Sequence, residues 1–338
     1  MTKTAYFYHD LQLKHDFPGH PETAGRAEAI MRRIRGEKYF AELELSPVCE
    51  ISHESLELVH QPEHWPTLRE AIDLGRSSID ADTYLTLESL HAAEISCGSL
   101  EKLAFMVADG HYKNGFALIR PPGHHATPGR AMGFCLLSNI AVAAASLLKH
   151  HKTGRLAILD FDVHHGNGTE DCLTGRKNIF FISSHQNGIY PGSGRPDNSS
   201  NIMNLPLPAG TADDEYLTLT REVILPALAK FKPEMLLVSA GYDAHKDDPL
   251  AGLSLSSDCF GQITAELVNF CAEFKIPGPL YVLEGGYNLT ALAESVSNSF
   301  QALLGQKTDF IPTINPEKIR PEFRKLTKEF RDYYKKSL

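Results

Sequence analysis

The sequence predicts an α/β protein with a mainly parallel sheet covered by helices on both faces. Three observations predict it. Short apolar runs alternate along the chain with longer segments of helical period, the pattern of strand–helix–strand units. The runs, such as Leu156 to Leu159, are apolar without alternation, as strands buried on both faces are. Four of them end in polar or glycine-rich loops, and all four loops then lie on one edge of a parallel sheet.

Taken in order, residues 4–8 read as the first strand and 9–21 as a loop, with His15, Pro18, Gly19, His20 and Pro21 as turn residues. Residues 22–39 have helical spacing, with Ala24, Ala27, Ile30, Met31 and Ile34 on one face. A short strand and a helix start are expected within 46–60. Residues 61–90 are mixed, and 77–86 read as a surface loop. Residues 89–109 form an Ala-rich helix ended near Gly110. The strand at 116–119 is cut off by Arg120-Pro121-Pro122-Gly123. A helix at 139–150, the strand at 156–159 and a strand at 179–183 follow, then a Gly/Pro/Asn loop to about residue 210. Residues 213–230 read as a helix with Asp213 as N-cap. A strand at 235–239, a helix at 257–274, a strand at 280–283 and a helix at 290–304 complete the alternation. Residues 314–338 are charged and expected as a peripheral helix. No linker divides the chain, so residues 1–338 are expected to be one domain.

Composition narrows the function. The chain has 338 residues, 42% hydrophobic and 22% charged, as ordinary globular proteins do. The N-terminus has no apolar stretch of a secretory signal, and no apolar run reaches membrane-spanning length. Six cysteines are scattered without a Cys-x-x-Cys pair, which predicts reduced, mostly buried thiols and a cytoplasmic protein. A net charge of −9 disfavours direct nucleic-acid binding. Oligomeric state is left open.

The centrepiece is residues 156–168, Leu-Ala-Ile-Leu-Asp-Phe-Asp-Val-His-His-Gly-Asn-Gly. Two carboxylates and two imidazoles beyond a buried strand are costly to bury without a partner, and a divalent metal is the obvious one. A plain strand end with solvated Asp is the rival for that motif alone. The other three loops oppose it: Arg120-Pro-Pro-Gly-His124-His125, Ala-Gly-Tyr-Asp243 and Leu-Glu-Gly-Gly-Tyr287. Asp162, His164 and Asp243 can hold one zinc. Two carboxylates neutralise it formally and leave its water less acidic, so a separate general base helps; His124 and His125 are the candidates. Asp160 and Asn167 can orient them from behind. Tyr287 can donate its hydroxyl proton to a tetrahedral oxyanion. These are the parts of metal-assisted hydrolysis.

The four motifs together resemble the zinc-dependent histone deacetylase superfamily, with its bacterial lysine deacetylases, acetoin-utilisation proteins and acetylpolyamine amidohydrolases. The resemblance runs from His20-Pro-Glu to Leu304. It implies an arginase-like three-layer fold with a central eight-stranded parallel sheet, and removal of an acyl group from an amine through a narrow channel. It implies Asp162, His164 and Asp243 as zinc ligands, His125 as general base and acid, His124 as its electrostatic partner and Tyr287 as oxyanion donor. Asp160 and Ser183 match positions that hold a structural potassium ion. Gly133 and Phe134 match the channel wall, Tyr190 the opposing aromatic wall, and Arg26 an arginine below the zinc. Asp80 or Asp82 matches a rim carboxylate. Asn167, where one branch has Asp, places the chain with the class II-like branch; Tyr287, where some class II relatives have His, implies competence. Leu250 stands where a polyamine-selective relative carries an acidic gatekeeper, which weakens an acetylated polyamine as substrate against acetylated lysine.

Three rivals are set beside this. A two-metal ureohydrolase needs carboxylates where Asn167 and His245 stand, and neutral Asn is a poor ligand for a hard cation. A non-catalytic acyl-lysine binding module would not need Tyr287 and both histidines. An acetylpolyamine amidohydrolase differs only in substrate. Ligand type also admits iron in place of zinc. His53, His60 and His64 read as surface or packing residues, His20 as a loop residue and Cys135 as an inert buried thiol.

Overall fold

In the computed structural model the described residues are 3–196, 200–306 and 314–337. Eight strands among them form one all-parallel sheet: β1 (Lys3–Phe7), β2 (Leu43–Leu45), β3 (Tyr112–Ala117), β4 (Leu156–Asp160), β5 (Ile179–Gln186), β6 (Ile202–Leu207), β7 (Met235–Ala240) and β8 (Leu280–Leu283). The spatial order is β2-β1-β3-β8-β7-β4-β5-β6. The four strands that carry the motif loops, β3, β8, β7 and β4, are therefore consecutive, and their carboxyl ends share one stretch of edge. Register is close across this stretch: Asp160 pairs with Ser239 on β7 and with Ser183 on β5.

Helices cover both faces. On one lie α2 (His53–Leu56), α3 (His64–Asp73), α4 (Ser89–Ala108), α5 (Asn139–Lys149) and α6 (Asn167–Leu173). On the other lie α1 (Ala24–Arg35), α7 (Asp213–Leu219), α8 (Leu225–Phe231), α9 (Ser257–Phe274), α10 (Leu289–Leu303) and α11 (Pro321–Ser337). The strands serve both layers by their period of two: Ala157 and Leu159 join one core, Leu156 and Ile158 the other. The three-layer expectation is met.

Several boundaries differ from the sequence reading. The strand expected within 46–60 lies earlier, at β2. β6 occupies part of the expected loop before residue 210; α3 and α6 were not anticipated as helices. In the expected surface loop 77–86, Thr83, Tyr84 and Leu85 are buried. Residues 213–230 are not one α-helix: Thr220–Ile224 is a π-turn between α7 and α8. Pro226 stands two residues on, and its missing N–H and its ring oppose a regular ladder there. Ala212, not Asp213, caps α7; Asp213 instead accepts from the Ser256 amide at 2.8 Å and its hydroxyl at 2.6 Å. The C-terminal helix begins at Pro321; residue 338 lies outside the described residues. All six cysteines are free, five of them buried. No helix among the described residues is long and apolar enough to cross a membrane.

Candidate active site

Asp162, His164 and Asp243 offer ligand atoms that all lie within 4.8 Å of one another. His164 Nδ1 is 3.1 Å from both Asp162 Oδ1 and Asp243 Oδ2. Both carboxylates are fully buried, and their ion-pair partners among the described residues are histidines only. Backbone amides fix them: Gly285 donates to Asp162 Oδ2 at 2.9 Å and Val163 to Asp243 Oδ1 at 2.9 Å. A side chain at Gly285 would collide with both carboxylates, which is why the β8 loop carries glycine there. Burial, then Asp162, pushes Asp243 up to about 7, while His124 and His164 outweigh burial and hold Asp162 well below the carboxylate range. Two converging buried carboxylates with one imidazole between them, and no Lys or Arg paired with either among the described residues, fit a divalent cation; the mixed O/N set fits zinc.

The two histidines of the β3 loop lie beside this cluster with rings 4.0 Å apart. Their surroundings differ. His124 Nδ1 is 3.0 Å from Asp160 Oδ2. Burial opposes its charge, but Asp162, Asp160 and Glu284 outweigh it and hold its pKa well above the usual value. His125 Nδ1 is 2.7 Å from Asn167 Oδ1. A carbonyl oxygen accepts, so the proton sits on Nδ1 and Nε2 keeps its lone pair. Burial, then His124 and His164, push the His125 pKa well below its usual value. A cation at the cluster pushes it the same way. Asp160 thus favours the charged form of His124, while the Asn167 carbonyl leaves His125 with a free Nε2.

Tyr287 stands on the β8 loop. Its backbone N–H donates to Asp248 Oδ2 at 2.7 Å. Its ring meets Phe134 edge-on at 5.9 Å and lies over the Arg26 guanidinium at 5.0 Å. Burial keeps its phenol protonated, with a pKa well above 10. Arg26 is buried and donates from Nε to the Gly286 carbonyl at 2.7 Å and from Nη1 to Glu22 at 3.0 Å.

A cavity of about 190 Å³ opens onto these groups, lined by Asp82, His125, Gly133, Phe134, His164, Tyr190, Leu250 and Tyr287. The structure thereby brings nearly all the sequence-predicted residues together and separates the two rim candidates. Asp82 lines the cavity. Asp80 does not; its Oδ1 accepts from the amides of Asp82 and Thr83, at 3.2 and 2.9 Å, and shapes the turn. Arg26 lies beneath Tyr287 and outside the lining. Ser183 is buried on β5 beside Asp160. Cys135 is buried behind His125, whose amide donates to its sulfur at 3.4 Å, and burial pushes its thiol up. His20 braces Phe134 edge-on at 4.5 Å.

Sequence reasoning missed the roles of Glu284, Asp248 and Glu22, and left His60 and His64 open between surface and packing. Glu284, fully buried, accepts from the Gly123 and His124 amides at 2.7 and 3.1 Å and joins the β8 loop to the base loop. Asp248 holds the Tyr287 backbone. Glu22 receives Arg120 and Arg26, which overcome its burial and hold it at about 2. His60 and His64 are buried and stacked at 4.3 Å; His60 Nε2 accepts from the Ser138 amide at 2.9 Å and His64 Nε2 donates to the Leu136 carbonyl at 2.8 Å. They are packing residues, and what they pack is the far end of the base loop. A carboxylate inside a strand-end motif was the only available signal for Glu284; the others form no local pattern.

Comparison with known proteins gives the family. The histone deacetylase domain matches residues 20–303. The chain belongs to the histone deacetylase family. Its sequence is 37% identical to "Histone deacetylase 14, chloroplastic" of Arabidopsis thaliana, over 87% of this chain and 75% of that protein. It is 39% identical to "Histone deacetylase 10, chloroplastic" of Oryza sativa subsp. japonica, over 87% and 72%. The solved structure of the HDA15 HD domain superposes with a TM-score of 0.91 at 30% identity, covering 99% of this chain and 95% of that one. The chain is a hydrolytic deacetylase with the fold of that family.

Proposed function

We propose that this deacetylase uses zinc to remove an acetyl or other short acyl group from the ε-amine of lysine in proteins or peptides. The observation that carries the reading is the cavity itself: His164 of the three-ligand cluster, an imidazole of fixed tautomer at His125 and the protonated Tyr287 phenol line one space of about 190 Å³.

Zinc held by Asp162, His164 and Asp243 would act as a Lewis acid toward the amide carbonyl and the attacking water. Phe134 and Tyr190 pack the aliphatic stem of the acylated lysine, with Gly133 and Leu250 completing the wall. His125 Nε2 takes the proton of the attacking water and delivers it to the leaving amine. His124, charged against Asp160, steadies the negative charge that develops. Tyr287 donates its phenolic proton to the oxyanion, a contribution of about 3 kcal/mol for such a donor. Asp82 accepts from the substrate backbone at the mouth, and Arg26 fixes the floor beneath Tyr287.

A structural potassium ion at Asp160 and Ser183 belongs to the same reading. His185 Nε2 faces the Gly194 carbonyl at 3.0 Å, so it carries the proton. Burial, then His165, pushes His185 down to about 3, so its Nδ1 accepts from the Ser183 hydroxyl at 3.0 Å. The Ser183 lone pairs are then free for a cation. We read residues 1–338 as one catalytic domain. Free cysteines and the net charge of −9 support a reducing compartment, the cytoplasm in our reading, and no direct contact with nucleic acid.

An acetylated polyamine is the alternative substrate. Asp82 has no cationic partner among the described residues and can receive an ammonium at the mouth. Turnover of an acetyl-lysine peptide beside acetylated putrescine and spermidine decides between them. Preference for the peptide is expected; preference for the amine overturns the lysine reading. No turnover of either with zinc bound points to a longer acyl group.

A further inference from the structure

Tyr190 lies edge-on to His125 at 5.0 Å and 6.3 Å from His164 by ring centroids. It belongs to the loop after β5, Asn-Gly-Ile-Tyr-Pro-Gly-Ser-Gly, whose glycines give the loop little stiffness of its own. What fastens it is behind it. Ser193 Oγ is 2.8 Å from His165 Nδ1. The Gly194 carbonyl accepts from His185 Nε2, and the Arg195 carbonyl accepts from Asn204 Nδ2 at 3.3 Å. His165, His185 and Asn204 are buried, with the two imidazoles 4.8 Å apart. Gly194 has φ +83°, and a Cβ there would sit 2.6 Å from His165 Cγ, so the loop passes directly over the histidine pair.

Behind the pair stands Glu170 of α6. Its Oε2 is 2.9 Å from His165 Nε2 and accepts from Asn204 Nδ2 at 2.7 Å. A carboxylate accepts, so His165 Nε2 carries a proton and points the ring's Nδ1 at the Ser193 hydroxyl. The chain of bonds runs from Glu170 through His165 to Ser193, three residues from Tyr190. None of Glu170, His165 or Ser193 lines the cavity.

We propose that His165, oriented by Glu170, is a positioning residue that sets the Tyr190 wall through Ser193 and so fixes the grip on the acylated side chain. The inference rests on the reading of Tyr190 as channel wall. Its signature is a change in KM with kcat and zinc content unchanged, because the ligands, the base and the oxyanion donor are held by other bonds.

Ser193→Ala removes one exposed hydroxyl and leaves the buried pair intact. Steady-state kinetics on an acetyl-lysine peptide with the zinc-loaded protein should show KM raised about three- to tenfold, the range for one loop-fixing hydrogen bond. Ser193→Thr, which keeps the hydroxyl, should restore it, and Glu170→Gln should raise KM as Ser193→Ala does. Tyr190→Ala should raise KM more, and adding Ser193→Ala to it should change nothing further. If Tyr190→Ala leaves KM unchanged, the wall reading falls and the proposal with it. If Tyr190→Ala raises KM while Ser193→Ala does not, the wall stands and the proposal alone is overturned. Equal effects of Ser193→Ala with and without Tyr190 also overturn it.

Discussion

Tyr287→Phe removes a single oxygen from a side chain whose other contacts do not need it. The backbone stays latched to Asp248 at 2.7 Å, and the ring keeps Phe134 at 5.9 Å and Arg26 at 5.0 Å. Packing and the metal cluster should therefore survive. What is lost is a donor held protonated by burial at every working pH. Loss of one preorganised oxyanion donor costs about 3 kcal/mol, which is on the order of 100-fold in kcat. KM should change little, because the donor acts on the oxyanion and the channel walls remain. The assay is steady-state release of acetate from an acetyl-lysine peptide, with zinc content measured on the same preparation. A kcat within about threefold of the unsubstituted protein, at full zinc content, would refute the oxyanion role.

Further outcomes are expected elsewhere in the site and the core. Asp162→Asn and Asp243→Asn should each weaken zinc binding by more than about 100-fold, read by metal analysis after dialysis; retained metal contradicts the ligand assignment. Asn167→Asp places a carboxylate on His125 Nδ1 and favours the charged imidazole, so the acid limb of kcat/KM should move to higher pH; a limb that stays or moves down contradicts the orienting role. Burial pushes His15 and His60 down to about 3, so between 6.5 and 3 the unfolded chain takes protons that the folded chain refuses. Their contribution is intact above pH 6.5 and is lost as pH falls, at about 1.4 kcal/mol per unit for each histidine. Urea midpoints at pH 7.5 and 5.5 for the protein and for His60→Gln test this: on acidification the variant's midpoint should fall less, or rise more, than that of the unsubstituted protein, and an identical change contradicts it.

The site was legible because its chemistry sits in contiguous motifs at the ends of central strands. β4, β7 and β8 are apolar but for Asp160 and Ser239 at or near their carboxyl ends, so the polar residues clustered there stand out. The parallel topology then brings them together whatever the loops between do. What was not legible depends on contacts between distant segments. Pro206 disguises β6, and it is tolerated because β6 is the last strand of the sheet. β2 is three residues at the opposite edge, too short to carry a period. Thr83 to Leu85 lie in a polar stretch and are buried only because Tyr84 reaches Glu22 and stacks on His15 at 4.3 Å. Asp80 and Asp82 are alike in sequence, and only the turn that Asp80 closes leaves Asp82 to face the cavity. Asp213 follows the pattern of a helix cap, yet the Ser256 side chain and amide, 43 residues away, claim it instead.

The account turns on one metal at one site driving amide hydrolysis. Metal-stripped protein titrated with zinc, with acetate release from an acetyl-lysine peptide measured at each addition, tests this most directly. Activity should rise with zinc and level off at one equivalent per chain. A rise that needs two equivalents, or acetate release that is indifferent to zinc, would contradict it.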